Sequence, residues 1–356
     1  EDLEKICKQV SDNDITANTI LSHQIYIKNT AKSYIQLYTL LGSYYWNFYI
    51  RNNCIRDKYV EKQIKTLYNI IKDTPELDKD YWVYRFVDNN EYLNHLNVGD
   101  TFEEESFIST TRNPFYDAKS NSFGFILIKI LLPKNKKGVG LCIESYSLFP
   151  NEEEILLNPS KLKLVSIEDN FKYYHPNKNA ANKIKKMYVF KYISTLELKD
   201  TTTYEINDEK IPTISWLNHV SDGDDFASKV YYFYRSVLPL FNNKRYFYTM
   251  IGNTKYLFQA FYLDDNPIYE KYFFLQKKNF KQKDQIYFML QDEKTGEIYL
   301  MIEMRDTISV NYIHKFIGSK NIFSDEELIR FLSSLAHYFG LSEVIIHNNH
   351  ESYKTI

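Results

Sequence analysis

The sequence predicts an α+β protein: N-terminal helices, then a strand-rich body, then a second domain of α/β or α+β type. Three observations carry this reading. Apolar residues recur at helical spacing from Ile15 to Asn52 and again from Val60 to Ile71. From Tyr81 onward the chain changes to short runs of aromatic and β-branched residues, which suit a pleated, half-buried surface. With 356 residues it is longer than one hydrophobic core usually serves, so two domains are expected, 1–198 and 205–356, joined through the polar stretch Leu198–Thr203.

The elements follow in order. Ile20, Leu21, Ile25 and Ile27, then Tyr34, Ile35, Tyr38, Leu41, Tyr45 and Phe48, predict a pair of helices. Val60, Ile64, Leu67, Ile70 and Ile71 predict a third, ended by Asp73-Thr74-Pro75. Tyr81–Val87 reads as a strand. Val98–Phe102 reads as a turn into a short strand, Glu105–Thr111, and Arg112–Tyr116 breaks the extended pattern. Phe123–Leu132 is nearly all apolar, the mark of a central strand covered on both faces. Val139–Glu144, Leu162–Val165 and Met187–Tyr192 complete the strands of the first half. In the second half, Tyr246–Tyr248 and Tyr256–Tyr262 read as strands, and Ile286–Leu290 with Ile298–Met304 as a hairpin around Lys294-Thr295-Gly296. Ser324 and Glu327 have capping-box spacing for a helix that runs to Phe339 and stops at Gly340, followed by a buried strand, Val344–Ile346.

Charge and cysteine content narrow the function classes. A net charge of −2 supplies no overall field for a polyanion, which argues against nucleic acid as a partner. Cys7, Cys54 and Cys142 are far apart and lack metal-ligand spacing, so free thiols in a reducing compartment are expected, and no metal. No run reaches the apolar length of a membrane span. The expected location is the cytoplasm of the producing or a host cell, with a secreted effector or a virion component as alternatives. The chain starts at Glu1 rather than Met, which suggests that a leading segment has been trimmed. Its excess of Tyr, Asn, Lys and Ile fits an AT-rich genome, such as that of a large DNA virus or an insect-associated bacterium.

The most informative stretch is Ser147–Leu157. A proline-bearing loop there delivers Glu152, Glu153 and Glu154 onto the apolar segment Ile155-Leu156-Leu157. At such a boundary, burial and neighbouring charge tune a carboxylate. On an extended backbone Glu152 and Glu154 share one side and Glu153 faces the other, toward solvent. Taken alone the run reads as a solvated acidic loop. Arg85, a charge inside a β-rich run, must either snorkel outward or meet an anion. The hydroxyls of Ser109, Thr110 and Thr111 taken alone read as cross-strand pairing.

Together, Tyr84-Arg85-Phe86, Gly99-Asp100-Thr101-Phe102, Phe107-Ile108-Ser109-Thr110-Thr111 and Glu152-Glu153-Glu154-Ile155-Leu156-Leu157 stand in the order and spacing of one family. From about Tyr34 to Tyr192 the sequence resembles the arginine-serine-glutamate class of ADP-ribosyltransferases, and its leading helices resemble those of the bacterial toxin members. The resemblance implies a two-sheet mixed β-sandwich core and a mono-ADP-ribosyltransferase that consumes NAD and modifies a protein, at arginine. Glu154 is then the carboxylate that stabilises the oxocarbenium-like state and holds the ribose hydroxyl. Arg85 faces the dinucleotide phosphates. Ser109 orients Glu154 and the nicotinamide pocket, with Thr110 and Thr111 supporting the strand end. Glu152 serves the acceptor as general base or orienter. Arg112 and Phe115 fall in the loop that contacts NAD, and Tyr146 or Phe149 at the acceptor. Two positions depart from the family pattern: Thr111 where serine is common, and Phe86 where many relatives carry a small residue.

The second half carries no comparable signal. His314, His337, His347 and His350 are too scattered for a metal site. Its hairpin, capped helix and final strand distantly resemble part of an acetyltransferase-like fold, but without a phosphate-cradling glycine loop. Partner or substrate recognition is therefore the role expected of it. The rivals are an NAD glycohydrolase using water as acceptor, an inactive binding or structural protein retaining the fold, and a nucleic-acid acceptor.

Overall fold

The computed structural model describes residues 17–53, 56–87, 90–114, 126–169, 186–201, 203–204, 208–216, 225–237, 246–261, 286–292, 298–304, 307–312, 324–348 and 351–355. The chain divides into two compact units, Glu1–Asn53 with Ile64–Asp200, and Cys54–Gln63 with Thr201–Ile356. The sequence places 54–63 within the first domain, 1–198; in the structure this short segment groups with the second unit.

The helical pattern at the start becomes α1 (Ala17–Thr30), α2 (Lys32–Leu37) and α3 (Ser43–Arg51), with one π-helical turn, Tyr38–Gly42, between the last two. Such turns concentrate at functional sites. Gly42 is required there, because a Cβ would lie 2.7 Å from the Trp46 ring. A two-residue strand, β1 (Arg56–Asp57), leads into α4 (Lys58–Lys72).

The strands of the first unit are β2 (Tyr81–Val87), β3 (Thr101–Glu104), β4 (Ile108–Thr111), β5 (Ile126–Leu132), β6 (Leu141–Cys142), β7 (Glu154–Leu157), β8 (Ser160–Asp169) and β9 (Lys186–Thr195). They form one ladder in the order β3-β8-β9-β5-β2-β4-β7-β6, mixed because β5 and β9 run parallel. The link between β2 and β4 is a single pair, Tyr84 with Thr111. At this narrow joint the ladder divides into a five-stranded and a three-stranded part. Their inner faces, with Val83, Ile128, Ile130, Leu162 and Phe190 from one and Ile108, Ile155 and Leu157 from the other, share one core.

The structure corrects several boundaries. Thr101–Glu104, whose first two residues fall in the expected turn Val98–Phe102, is an edge strand on β8; its alternating exposed and half-buried residues, two of them glutamates, conceal it. Glu105–Thr111 is strand only from Ile108, and Val139–Glu144 only at Leu141–Cys142. The strand at Leu162–Val165 extends over ten residues, Ser160–Asp169, with Lys161, Lys163 and Val165 alternating with the buried Ser160, Leu162 and Leu164.

The second unit adds β10 (Thr203–Tyr204), parallel to β1, and a helix, α5 (Phe226–Tyr232). Its sheet comprises β11 (Tyr246–Ile251), β12 (Thr254–Phe261), β13 (Ile286–Gln291), β14 (Ile298–Met304), β15 (Ile308–Tyr312), β16 (Val344–Asn348) and β17 (Glu351–Thr355) in sequential order. Only β15 and β16 are parallel. The expected hairpin is present as the antiparallel β13–β14 pair. The helix α6 (Asp325–Phe339) has a complete capping box at Ser324 and Glu327 and ends on a left-handed Gly340. Leu328, Leu332, Leu335 and Phe339 bury its apolar face in a core with Trp216, Phe233, Phe247, Phe258 and Phe288. Asp57 receives the Tyr246 hydroxyl at 2.7 Å and caps α4 by accepting the amides of Tyr59 and Val60. The Tyr59 ring lies 5.3 Å from that of Tyr246.

Candidate active site

Strand register assembles the site. Thr111 of β4 stands opposite both Tyr84 of β2 and Glu154 of β7. Arg85 follows Tyr84, and Ser109 shares a strand face with Thr111 two residues away. Three motifs separated by scores of residues thus meet at the joint of the ladder. The Arg85 guanidinium donates to the Ser109 carbonyl at 3.0 Å. Beside Arg85 a small cleft, partly open to solvent, is lined by Tyr92, Phe102, Glu104, Ile108 and Phe190.

Thr110 faces the core and ties its hydroxyl to the Ile155 carbonyl at 2.6 Å, fixing β4 on β7. Thr111 is buried, and its Oγ1 accepts the Asn113 amide at 3.0 Å. Both threonines therefore brace the strand end.

Glu154 is 4% exposed and its Oε1 has no hydrogen-bond partner among the described residues. Burial pushes its carboxyl up to about 8, and the nearby Glu152 pushes the same way, against the opposing pull of Ser109 and Arg85. A buried carboxyl with a free oxygen is a costly arrangement, and such costs concentrate where a ligand supplies what is missing.

The acidic run is not simply extended. Pro150–Glu152 form a turn of 3-10 helix and Glu153 is left-handed, with φ 47° and ψ 47°. The alternation expected for a strand therefore starts only at Glu154. Glu153 does not face solvent alone: it lies 3.8 Å from Arg112, which also meets Glu144 at 3.2 Å. Glu152 is half-buried at the end of the turn. Tyr146 is half-buried under the Lys32 ammonium, 5.4 Å from its ring centroid. Phe149 is 48% exposed at the start of the turn. Phe115 lies outside the described residues.

Two further residues support the strand hydroxyls. Tyr38, from the π-helical turn, is fully buried with its hydroxyl 2.7 Å from Ser109 Oγ. Asn47 of α3 accepts the Phe107 amide at 3.0 Å and donates to the Phe107 carbonyl at 3.1 Å, clamping the start of β4. In sequence Tyr38 counts as one more apolar helix position; the available clue is that a buried tyrosine hydroxyl needs a partner.

Residues 18–188 match the family described as ADP-ribosyltransferase exoenzyme. The first half of this chain carries an ADP-ribosyltransferase exoenzyme domain. An uncharacterised protein of Acanthamoeba polyphaga mimivirus is 34% identical over 379 residues, an alignment covering 98% of this chain and 50% of that protein. This chain thus spans about half the length of the curated relative it matches. Among solved structures, the enzymatic component C2-I of the C2-toxin from Clostridium botulinum aligns at 21% identity and TM-score 0.41, over 52% of this chain and 48% of that one. Plx2a, an ADP-ribosyltransferase toxin from Paenibacillus larvae, aligns at 18% identity and TM-score 0.37, over 54% and 97%. C3stau2 from S. aureus, solved with NAD, aligns at 18% identity and TM-score 0.38, over 51% and 98%.

Among the described residues of the exoenzyme domain and the rest of the chain, no group of three or more His, Cys, Asp or Glu is arranged to hold a metal ion. His314, His350, Cys7 and Cys54 lie outside the described residues. Cys142 is buried with a free thiol. No described helix is long and apolar enough to cross a membrane.

Proposed function

We propose that this chain cleaves NAD at the nicotinamide–ribose bond and transfers ADP-ribose to an acceptor, a protein arginine. The observation that carries this reading is the meeting of Arg85, Ser109 and a buried, partly unsatisfied Glu154 at one point of the ladder. As the glycosidic bond breaks, nicotinamide leaves as a neutral molecule and the ribose C1′ gains oxocarbenium character. An ionised Glu154 in this low-dielectric position stabilises that charge better than water does. Ser109 orients the carboxylate, and Arg85 offers the remaining guanidinium nitrogens to the dinucleotide phosphates. A guanidino nitrogen of the acceptor then bonds to C1′ and gives up its proton to Glu152.

Labelled NAD incubated with the protein and a cell lysate tests this. Label is expected in protein; label in nucleic acid, or only in free ADP-ribose, marks a different acceptor. Glu154→Gln is expected to remove both NAD hydrolysis and transfer. Glu152→Gln is expected to spare hydrolysis and abolish transfer. Equal NAD turnover by the wild type and Glu154→Gln sinks the proposal.

A further inference from the structure

In place of a dinucleotide contact, we propose that Arg112 is a positioning residue for transfer: it clamps the acidic turn so that Glu152 is held toward the acceptor. This rests on the transferase reading above. Arg112 directly follows the strand that bears Ser109. Its amide donates to the Glu153 carbonyl at 3.2 Å. Its side chain reaches Glu144 through both Nε (3.3 Å) and Nη2 (3.2 Å), and Nη2 lies 3.8 Å from Glu153 Oε1. The Arg112 and Glu144 side chains are only 18% and 15% exposed. One guanidinium therefore ties together the end of β4, the turn after β6 and the acidic turn. The Ile143 amide, donated to the Glu154 carbonyl at 3.1 Å, closes the same frame.

The clamp has a conformational job. Left-handed backbone is disfavoured for a residue such as Glu153 and persists only where surroundings hold it. Because Glu153 is left-handed, the direction of Glu152 relative to Glu154 depends on that one residue. Electrostatics also argues against a phosphate contact. A guanidinium flanked by two carboxylates presents a net negative cluster, which repels a pyrophosphate.

Three measurements on Arg112→Met test this: amide hydrogen exchange, NAD hydrolysis, and transfer from labelled NAD to agmatine or lysate protein. The expected result is faster exchange at the Glu152 and Glu153 amides with β2 still protected. Transfer kcat should fall at least tenfold, with the KM for NAD within about twofold and hydrolysis retained. Arg112→Lys, which keeps the charge but not the two-nitrogen hold on Glu144, should recover part of the transfer. Glu144→Gln removes the anchor from the other side and should give a weaker form of the same split, which covers the case of a poorly folding Arg112 variant. Unchanged exchange and transfer overturn the clamp alone. A raised KM for NAD, with hydrolysis and transfer falling together, overturns it in favour of dinucleotide binding. A wild-type protein without NAD turnover, or with hydrolysis and no transfer, overturns the function reading and the clamp's assignment together.

Discussion

The Tyr38 hydroxyl lies 2.7 Å from Ser109 Oγ, so a residue of the helical layer holds the strand hydroxyl that neighbours Glu154. The Tyr38 ring is set independently, edge-on to Phe107 at 6.0 Å and tilted against Trp46 at 6.4 Å. Tyr38→Phe therefore removes the hydrogen bond and leaves the packing. It should cost about 1 kcal/mol of stability and lower NAD turnover several-fold. Thermal unfolding and an NAD-hydrolysis assay check the two effects, and unchanged turnover would make Tyr38 a packing residue only.

A pH limb follows from Glu154. Its carboxyl, at about 8 in the unliganded protein, must lose its proton to stabilise a cation. The kcat/KM for NAD hydrolysis should rise with pH through that value. Glu152 is one cause of the raised position, so Glu152→Gln should move the limb toward lower pH. A profile that stays flat between pH 6 and 9 contradicts the assignment.

The same group carries a stability cost with a definite sign. The folded carboxyl titrates near 8 and its ordinary value is 4.5, so between these the folded state keeps a proton that the unfolded state has lost. Stability attributable to Glu154 falls as pH rises through this window. Glu154→Gln should therefore unfold at a higher temperature than the wild type at pH 8, by on the order of 2–4 kcal/mol in equivalent stability. The advantage should shrink toward pH 5. Scanning calorimetry at both pH values reads the difference.

His23 gives the opposite slope. It is fully buried, and burial pushes it down to about 4 from 6.5. The Cys142 amide donates to Nδ1 at 2.9 Å, so the ring proton is on Nε2, which donates to the Pro75 carbonyl at 3.1 Å. Between pH 6.5 and 4 the unfolded state binds a proton and the folded state does not, so stability is lost as pH falls. His23→Gln should be less stable than the wild type at pH 7, yet lose less on acidification to pH 4. Urea midpoints at the two pH values check it.

Arg85, Ser109 and Glu154 are legible in sequence only as a set, because three short runs that each read as ordinary strand or loop stand in the order and spacing of one family. Strand register then fixes their meeting without help from loops. The helical side of the site was hidden, since Tyr38 and Asn47 occupy positions whose spacing already has a sufficient explanation in helix packing. The acidic turn is hidden because period-2 alternation over Glu152–Glu154 assumes an extended backbone, whereas a 3-10 turn ends at Glu152 and Glu153 is left-handed. Glu153 is the casualty: nothing in a Glu-Glu-Glu run marks the middle residue as left-handed. Edge strands such as Thr101–Glu104 escape for a related reason, having half the buried face of a central strand and charges on the rest.

Cys54–Gln63 belongs with the second unit although it lies within the matched residues 18–188 and precedes every strand of the first unit. A fragment ending at Asp200 would retain every described residue of the candidate site. It would also carry Asp57 and Tyr59 away from Tyr246, leaving a carboxylate and an aromatic ring in water at the start of α4. The severed remainder would lose its β1 partner for Thr203 and Tyr204. Any dissection of this protein by simple truncation at the linker thus damages both products, and weak activity in such a fragment would report on the cut as much as on the site.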